Sequence, residues 1–287
     1  MTIIHNCSMR KTELLALIVT GLVASWSFWV FEKEQDKEST KPSPTKDYAL
    51  SFEGWRVEKA PNFATMTNVT EKKRAFFDYL RPGVAFENKR ILEERRQLES
   101  IQRSLKAGSV SRAERREAAR LAARYDVELD TSGITQSWLD QMLHRVEMIP
   151  EALVLVQGAN ESAWGTSRFA LQANNYFGQW CYSVGCGLVP LLRGEGMTHE
   201  VAKFDSVQQS IHGYFMNVNR NRAYEELREI RYQRYLSGQS LTNTGAALAL
   251  TEGLLKYSER GEAYVKDLQA MIRHNQSFWD KTPNKNK

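Results

Sequence analysis

Cysteine is scarce in this 287-residue chain, which carries only Cys7, Cys181 and Cys186. Three thiols are too few for a disulfide scaffold and lack the four-ligand spacing of a structural zinc site, so a small secreted knot and a zinc finger are excluded. Proline and glycine, at 7 and 17 residues, are too sparse for a low-complexity chain. Histidine occurs at 5, 144, 199, 212 and 274, scattered, with no His-Glu-x-x-His pair, no Gly-x-Ser-x-Gly elbow and no phosphate-cradling loop. Metal-dependent and serine hydrolysis therefore lose support. What is present has globular proportions: 42% hydrophobic and 25% charged residues, a net charge of +5, and 7 Trp, 11 Tyr and 12 Phe to give a core its bulk.

Residues 14–31 run LLALIVTGLVASWSFWVF without a charge, after Arg10 and Lys11 and before Glu32. That length is close to a membrane span. A cleaved signal peptide would have a shorter apolar region and a small-residue exit, whereas this one exits through Trp26, Phe28, Trp29 and Phe31. The segment reads as an uncleaved anchor, with residues 1–13 as a cytoplasmic tail by the positive-inside rule and the aromatics at the far interface. Residues 32–47, EKEQDKESTKPSPTKD, cannot bury enough apolar surface to fold. They open a polar stalk or linker over 32–69, and 281–287 read as a disordered tail.

Residues 71–125 hold fifteen Lys and Arg against eight Asp and Glu. Two amphipathic helices are predicted there, the second opened by a capping box at Ser111 and Glu114. We delimit 70–136 as a basic helical subdomain, whose charge suits either an anionic polymer or plain solvation. A further amphipathic stretch covers 138–149. Pro150 then starts a helix that is apolar on most sides and ends at Glu161, so it belongs at the domain centre. From 174 to 204 the helical period vanishes and glycines punctuate the run, which predicts a small hairpin lobe. Ser206 caps the next helix, and others follow over 224–235, 246–257 and 262–278.

The chemistry concentrates in Asn160-Glu161-Ser162-Ala163-Trp164-Gly165-Thr166-Ser167. An acid closing a buried helix beside a large aromatic is partly desolvated, which raises its pKa toward that of a general acid. The same acid would serve equally as a partner of Arg168 or as a cap on backbone amides.

This run, with Asn174-Asn175-Tyr176-Phe177-Gly178, the later Phe204-Asp205-Ser206, Ser210 and Tyr214, resembles the glucosaminidase domains of glycoside hydrolase family 73. The two cysteines after the Asn-Asn run and Tyr257-Ser-Glu-Arg-Gly-Glu-Ala-Tyr264 resemble the Bax-type proteins of that family. The resemblance spans roughly residues 70–280 and implies a mostly helical, α+β, lysozyme-like catalytic domain over 137–280. It implies a groove for glycan strands of peptidoglycan, no cofactor and no metal. Nucleic acid is disfavoured because the anchor would place the domain outside the cytoplasm. The expected location is the bacterial inner membrane, single-pass, with the domain on the periplasmic or outer side.

By this resemblance Glu161 protonates the glycosidic oxygen of a β-1,4 bond as the sugar moves toward an oxocarbenium-like state. Tyr257 would line the site and orient the substrate N-acetyl group. Trp164, Asn174, Asn175, Tyr176 and Tyr264 are expected to contact substrate, although Trp164 also suits packing under the Gly165 turn and Asn pairs also serve as turn residues. For a second carboxylate, Glu195, Glu200 and Asp205 fall in the right interval, with Glu195 the first choice. An inverting mechanism would set that base roughly 6.5–9.5 Å from Glu161, whereas assistance by the N-acetyl group needs none. Hydrolysis, lytic transglycosylation and a glycan-binding scaffold all remain open at this level.

Cys181 and Cys186 stand five positions apart in a turn-rich segment on the side of the membrane where disulfides persist, so they are expected to pair. Two reduced thiols, or half of a metal site completed by His199 and His212, are the alternatives.

A reporter fused after Asp47 is expected to lie outside the cytoplasm, with the full chain retained in membranes through an alkaline wash. A soluble, shortened mature form would show that residues 14–31 are a signal peptide.

Overall fold

The computed structural model describes residues 59–129, 131–191, 193 and 196–280. The anchor, the N-terminal tail, most of the stalk, Glu195 and the tail from 281 lie outside the described residues. Among the described residues no helix is long and apolar enough to cross a membrane.

The chain is mostly helical with one small sheet, in agreement with the expected α+β class. Helix α1 (Val69–Lys106) is capped by Asn68, whose side chain accepts from Thr70 and Glu71 N–H. It continues through Pro82 for 38 residues. At the next residue, Gly83, a Cβ would stand 2.5 Å from Ile211 Cδ1, so glycine lets α1 approach α6 (Val207–Arg220) closely. Helix α2 (Arg112–Tyr125) opens with the expected reciprocal box: Ser111 Oγ accepts from Glu114 N–H, and Ser111 N–H donates to the Glu114 carboxylate at 2.8 Å. Helix α3 (Gln136–Arg145) leads to Pro150 and to α4 (Glu151–Glu161).

Residues 152–159 of α4 are all buried, because the sequence there is apolar on every side apart from Gln157. This helix contacts α1, α8 (Thr244–Thr251) and α9 (Glu262–His274) and is the axis of the core. Short helix α5 (Arg168–Ala173) precedes the sheet of β1 (Trp180–Cys181), β2 (Gly187–Leu188) and β3 (Glu200–Ala202), ordered β1-β3-β2 and antiparallel throughout. Helices α6, α7 (Glu225–Leu236), α8 and α9 complete the domain. One apolar cluster takes in Phe76, Leu98 and Leu121 together with Leu155, Phe215 and Leu268. The core is therefore continuous across residue 136, and the basic segment packs as part of the same body as the rest.

Among the described residues, five of that segment's fifteen cations are held in ion pairs. Arg90 bridges Glu87 and Glu94, Arg124 and Arg120 also reach Glu94, Arg95 meets Glu147 and Glu99, and Arg81 meets Glu151. Glu87 is fully buried and also accepts from the side chains of His212 and Gln208. Burial opposes its ionisation, but His212 and Arg90 together hold its carboxyl down at about 2.

Arg231 is 1% exposed and donates to the carbonyls of His144, Arg145, Glu147 and Met148 and to Asn219 Oδ1. Those carbonyls belong to the last turn of α3 and to the link that leads to α4, so one guanidinium fixes how the chain enters the central helix. Arg231→Met removes the donor these carbonyls share, and although Arg145 O keeps Glu147 N–H and Glu147 O keeps Asn219 Nδ2, it is expected to lower unfolding free energy by about 3 kcal/mol in a denaturant titration.

Candidate active site

Glu161 is the last residue of α4, and the chain reverses immediately beyond it. Ala163, Trp164 and Gly165 take φ of 50°, 59° and 75°, three consecutive left-handed residues of which two carry a Cβ. Each such non-glycine residue costs about 1–2 kcal/mol. Ser162 offsets that cost: its hydroxyl donates to Gly158 O at 2.6 Å and accepts from Gly165 N–H at 2.8 Å, while its carbonyl accepts from Thr166 and Ser167. At Gly165 a Cβ would stand 2.5 Å from the Phe63 ring, so glycine is required there twice over. The Glu-Ser-x-Trp-Gly-x-Ser pattern is thus the recipe for a helix stop that leaves its final carboxylate at a fixed place.

Trp164 is half-buried, with its ring edge-on to Phe76 and tilted on Phe77, and Lys73 Nζ lies 5.6 Å from its centroid. It packs beneath the reversal. Ser167 caps α5 through Ala170 N–H.

The Glu161 carboxyl is half-buried, and its Oε1 accepts from Tyr264 Oη at 2.9 Å and from Asn160 Nδ2 at 3.1 Å. Burial pushes its pKa up, against the opposing pull of those two donors. Over Oε2 lies Gly178, where a Cβ would come within 3.1 Å. Tyr264 lies parallel to Tyr257 with ring centroids 5.6 Å apart, and Tyr257 Oη donates to Phe177 O at 2.7 Å. Burial raises both phenols well above their usual pKa, so both act as neutral hydroxyls. The structure therefore brings Glu161, Tyr257 and Tyr264 together, from chain segments about a hundred residues apart in sequence.

The Asn-Asn-Tyr run has other work. Asn174 is the left-handed cap of α5 and donates to Phe204 O. Asn175 is 1% exposed; its Nδ2 donates to Gln179 O and Ala202 O, and its Oδ1 accepts from Phe177 and Gln179 N–H. All four of its hydrogen-bonding positions are filled, which corrects its expected contact with sugar. Tyr176 is 2% exposed, packed on Phe76 and Tyr79, with its N–H given to Ser210 Oγ. It too is a packing residue. These bonds fasten the start of the sheet lobe to α6.

Cys181 and Cys186 form a disulfide. Neither sulfur is then a metal ligand, although Glu200 lies near both. His199 stacks on Trp180 with centroids 3.9 Å apart, and His212 pairs with Glu87, so the two histidines do not converge on the sulfurs as a metal site would need. Glu200 is buried, and its two oxygens accept from Gly185 and Gly187 N–H at 3.0 and 2.8 Å, which lower its pKa. It braces the disulfide loop, which is poor duty for a general base. Asp205 is exposed and bonds Gln209. Glu195 lies outside the described residues.

The residues that sequence reasoning missed are Asn160, Gln157 and Gly178. Gln157 had a signal: it is the lone polar side chain in the apolar run 152–159, one turn before Glu161 and on its face.

An acid held at the end of a buried helix, next to paired tyrosines and a small disulfide-closed lobe, defines a candidate carbohydrate-active domain. Residues 137–277, which contain all of it, match the glucosaminidase family described as mannosyl-glycoprotein endo-beta-N-acetylglucosaminidase. Protein bax of Escherichia coli (strain K12) is 33% identical over 216 residues, which cover 75% of this chain and 74% of that protein. The chain belongs to the Bax-type glucosaminidase-domain proteins. A solved type VI secretion system effector-immunity complex from Pseudomonas protegens aligns with 55% of this chain and 92% of that one at 21% identity, but its TM-score of 0.26 carries no argument.

Gly178 has φ of 63° as well as the acid beside it. Gly178→Ala is expected to cost about 1–2 kcal/mol in a denaturant titration while leaving the far-ultraviolet circular dichroism unchanged. An unchanged unfolding midpoint would mean that the 177–179 turn relaxes freely.

Proposed function

We propose that the protein is a membrane-anchored peptidoglycan hydrolase of the endo-β-N-acetylglucosaminidase type, with Glu161 as the general acid. The observation that carries this reading is the Glu161 carboxyl itself, half-buried, raised in pKa and bonded only through Oε1 among the described contacts. A raised pKa keeps the proton on the acid at a pH where an exposed carboxyl has lost it. In this reading a lysozyme-like groove takes the glycan strand, and Oε2 delivers its proton to the glycosidic oxygen. The bond to the sugar's anomeric carbon then breaks with oxocarbenium character.

The groups bonded to Glu161 are a tyrosine and an amide, so the charge opposite the acid comes from elsewhere. The substrate's own N-acetyl oxygen, held near the Tyr257 and Tyr264 pair, is one source that needs no second carboxylate. Glu195 is the other, as a base activating water. Lytic transglycosylation would use the same acid at the anomeric carbon of the other sugar, N-acetylmuramic acid, with that sugar's own hydroxyl in place of water closing an anhydro ring and returning its proton to Glu161. The bonding of Glu161 by neutral groups is what keeps this second reading alive.

Glu161→Gln retains shape and removes the transferable proton, so full-length protein carrying it is expected to digest isolated peptidoglycan at least about 10²-fold more slowly, with unchanged folding. Activity should fall as pH rises through the Glu161 pKa, because the active form is the protonated one. Mass spectrometry of the products separates reducing ends from anhydro ends. A variant retaining half of the wild-type rate would end the assignment.

A further inference from the structure

Behind Glu161 runs a single file of hydrogen bonds. Tyr214 Oη donates to Gln157 Oε1 at 2.5 Å, Gln157 Nε2 donates to Tyr264 Oη at 3.0 Å, and Tyr264 Oη donates to Glu161 Oε1 at 2.9 Å. Tyr214 and Gln157 are fully buried and Tyr264 is 1% exposed, so water does not compete for these contacts. A phenol has one proton. Because Gln157 gives Tyr264 an N–H, the Tyr264 hydroxyl is fixed as acceptor on that side and must spend its own proton on Glu161. The Gln157 amide is in turn fixed because Tyr214 presents a hydroxyl to its carbonyl oxygen.

From this geometry we infer that Gln157 is a positioning residue for the acid: through Tyr264 it reserves Glu161 Oε1 as an acceptor and confines the carboxyl proton to Oε2, beside Gly178. With Tyr264 and Asn160 both aiming hydrogens at Oε1, a proton on that oxygen would meet two others head-on. Oε2 faces a residue without a side chain, which leaves it room to approach a substrate oxygen. The file thus selects which of two chemically equivalent oxygens is the donor. The inference rests on the acid role given above, and it adds a task to Gln157 and Tyr214, which are fully buried.

The direction of the effect follows from the charges. Donation from Tyr264 favours the ionised carboxyl, and donation from Gln157 to Tyr264 strengthens it by polarising the hydroxyl. Removing either link should therefore raise the Glu161 pKa. It is read in the full chain without substrate by pH-dependent infrared difference spectroscopy, with Glu161→Gln identifying the carboxyl band.

Tyr264→Phe is expected to move the midpoint up by about one pH unit. Gln157→Met should move it in the same direction by less, and should add nothing in the Tyr264→Phe background. The alkaline limb of the pH-rate profile on peptidoglycan should follow the same order. If Gln157→Met leaves the midpoint unmoved, or shifts it equally with and without Tyr264, Gln157 does not act through the tyrosine and the inference falls. Should Gln157→Met fail to fold, Tyr214→Phe keeps the shape and removes only the first donor; an unmoved midpoint there overturns the inference equally. Midpoints that shift as stated in a protein inactive on peptidoglycan would sink the functional reading and leave the positioning role standing. Unmoved midpoints with an inactive Glu161→Gln enzyme would do the reverse.

Discussion

A carboxyl group at the end of an apolar helix is the constraint around which the domain is arranged. Ionised and stripped of water it would be costly, and fully exposed it would be an ordinary weak acid. Glu161 sits between those limits because α4 is buried along residues 152–159 while its last two residues are only half-buried. The helix must therefore end abruptly at the edge of the core. Two left-handed non-glycine residues and a glycine achieve the stop, and Ser162 and the packing of Trp164 stabilise it.

That stop needs a wall to lean on, and α1 supplies it. Phe76 and Phe77 take the Trp164 ring, Phe63 fills the space over Gly165, and Phe278 and Trp279 close the far side of Phe77. Further along, α1 carries the buried carboxylates of Glu87 and Glu94, which are paired with Arg90, Arg120 and Arg124. A buried pair of this kind is weak evidence for stability but strongly penalises loss of one partner. It makes α1 a buttress to the site that cannot shift independently of α2 and α6.

The sheet lobe is organised by the opposite economy, with little apolar surface and many specific bonds. Its strands are two or three residues long, too short to hold by themselves. The Cys181–Cys186 disulfide, the Glu200 carboxylate across two loop amides and the saturated Asn175 side chain hold them. At Gly187 a Cβ would fall 1.9 Å from Val201 O, so the strand approach itself requires glycine. A lobe built this way presents a firm rim beside Glu161 without contributing to the main core.

Helix positions were legible because their causes are local: apolar spacing in α4 and α6, the Ser111 box on α2, and the serine cap at Ser206. So was Glu161, since an acid closing an apolar run is conspicuous in one dimension. The cysteine pairing was expected from a turn-rich segment beside two open alternatives, and the disulfide is what the fold forms. The work of Tyr264 was not, because its partners Gln157 and Glu161 lie over a hundred residues away and nothing local tells a buried hydroxyl from a groove-lining one. Nor did the Asn-Asn run betray that its amides are taken up by the Phe204, Gln179 and Ala202 carbonyls. Periodicity and capping are properties of neighbouring residues, which sequence alone determines. Which polar atom meets which is decided only when distant helices close on one core, since that packing sets where water is excluded and which donors remain to replace it.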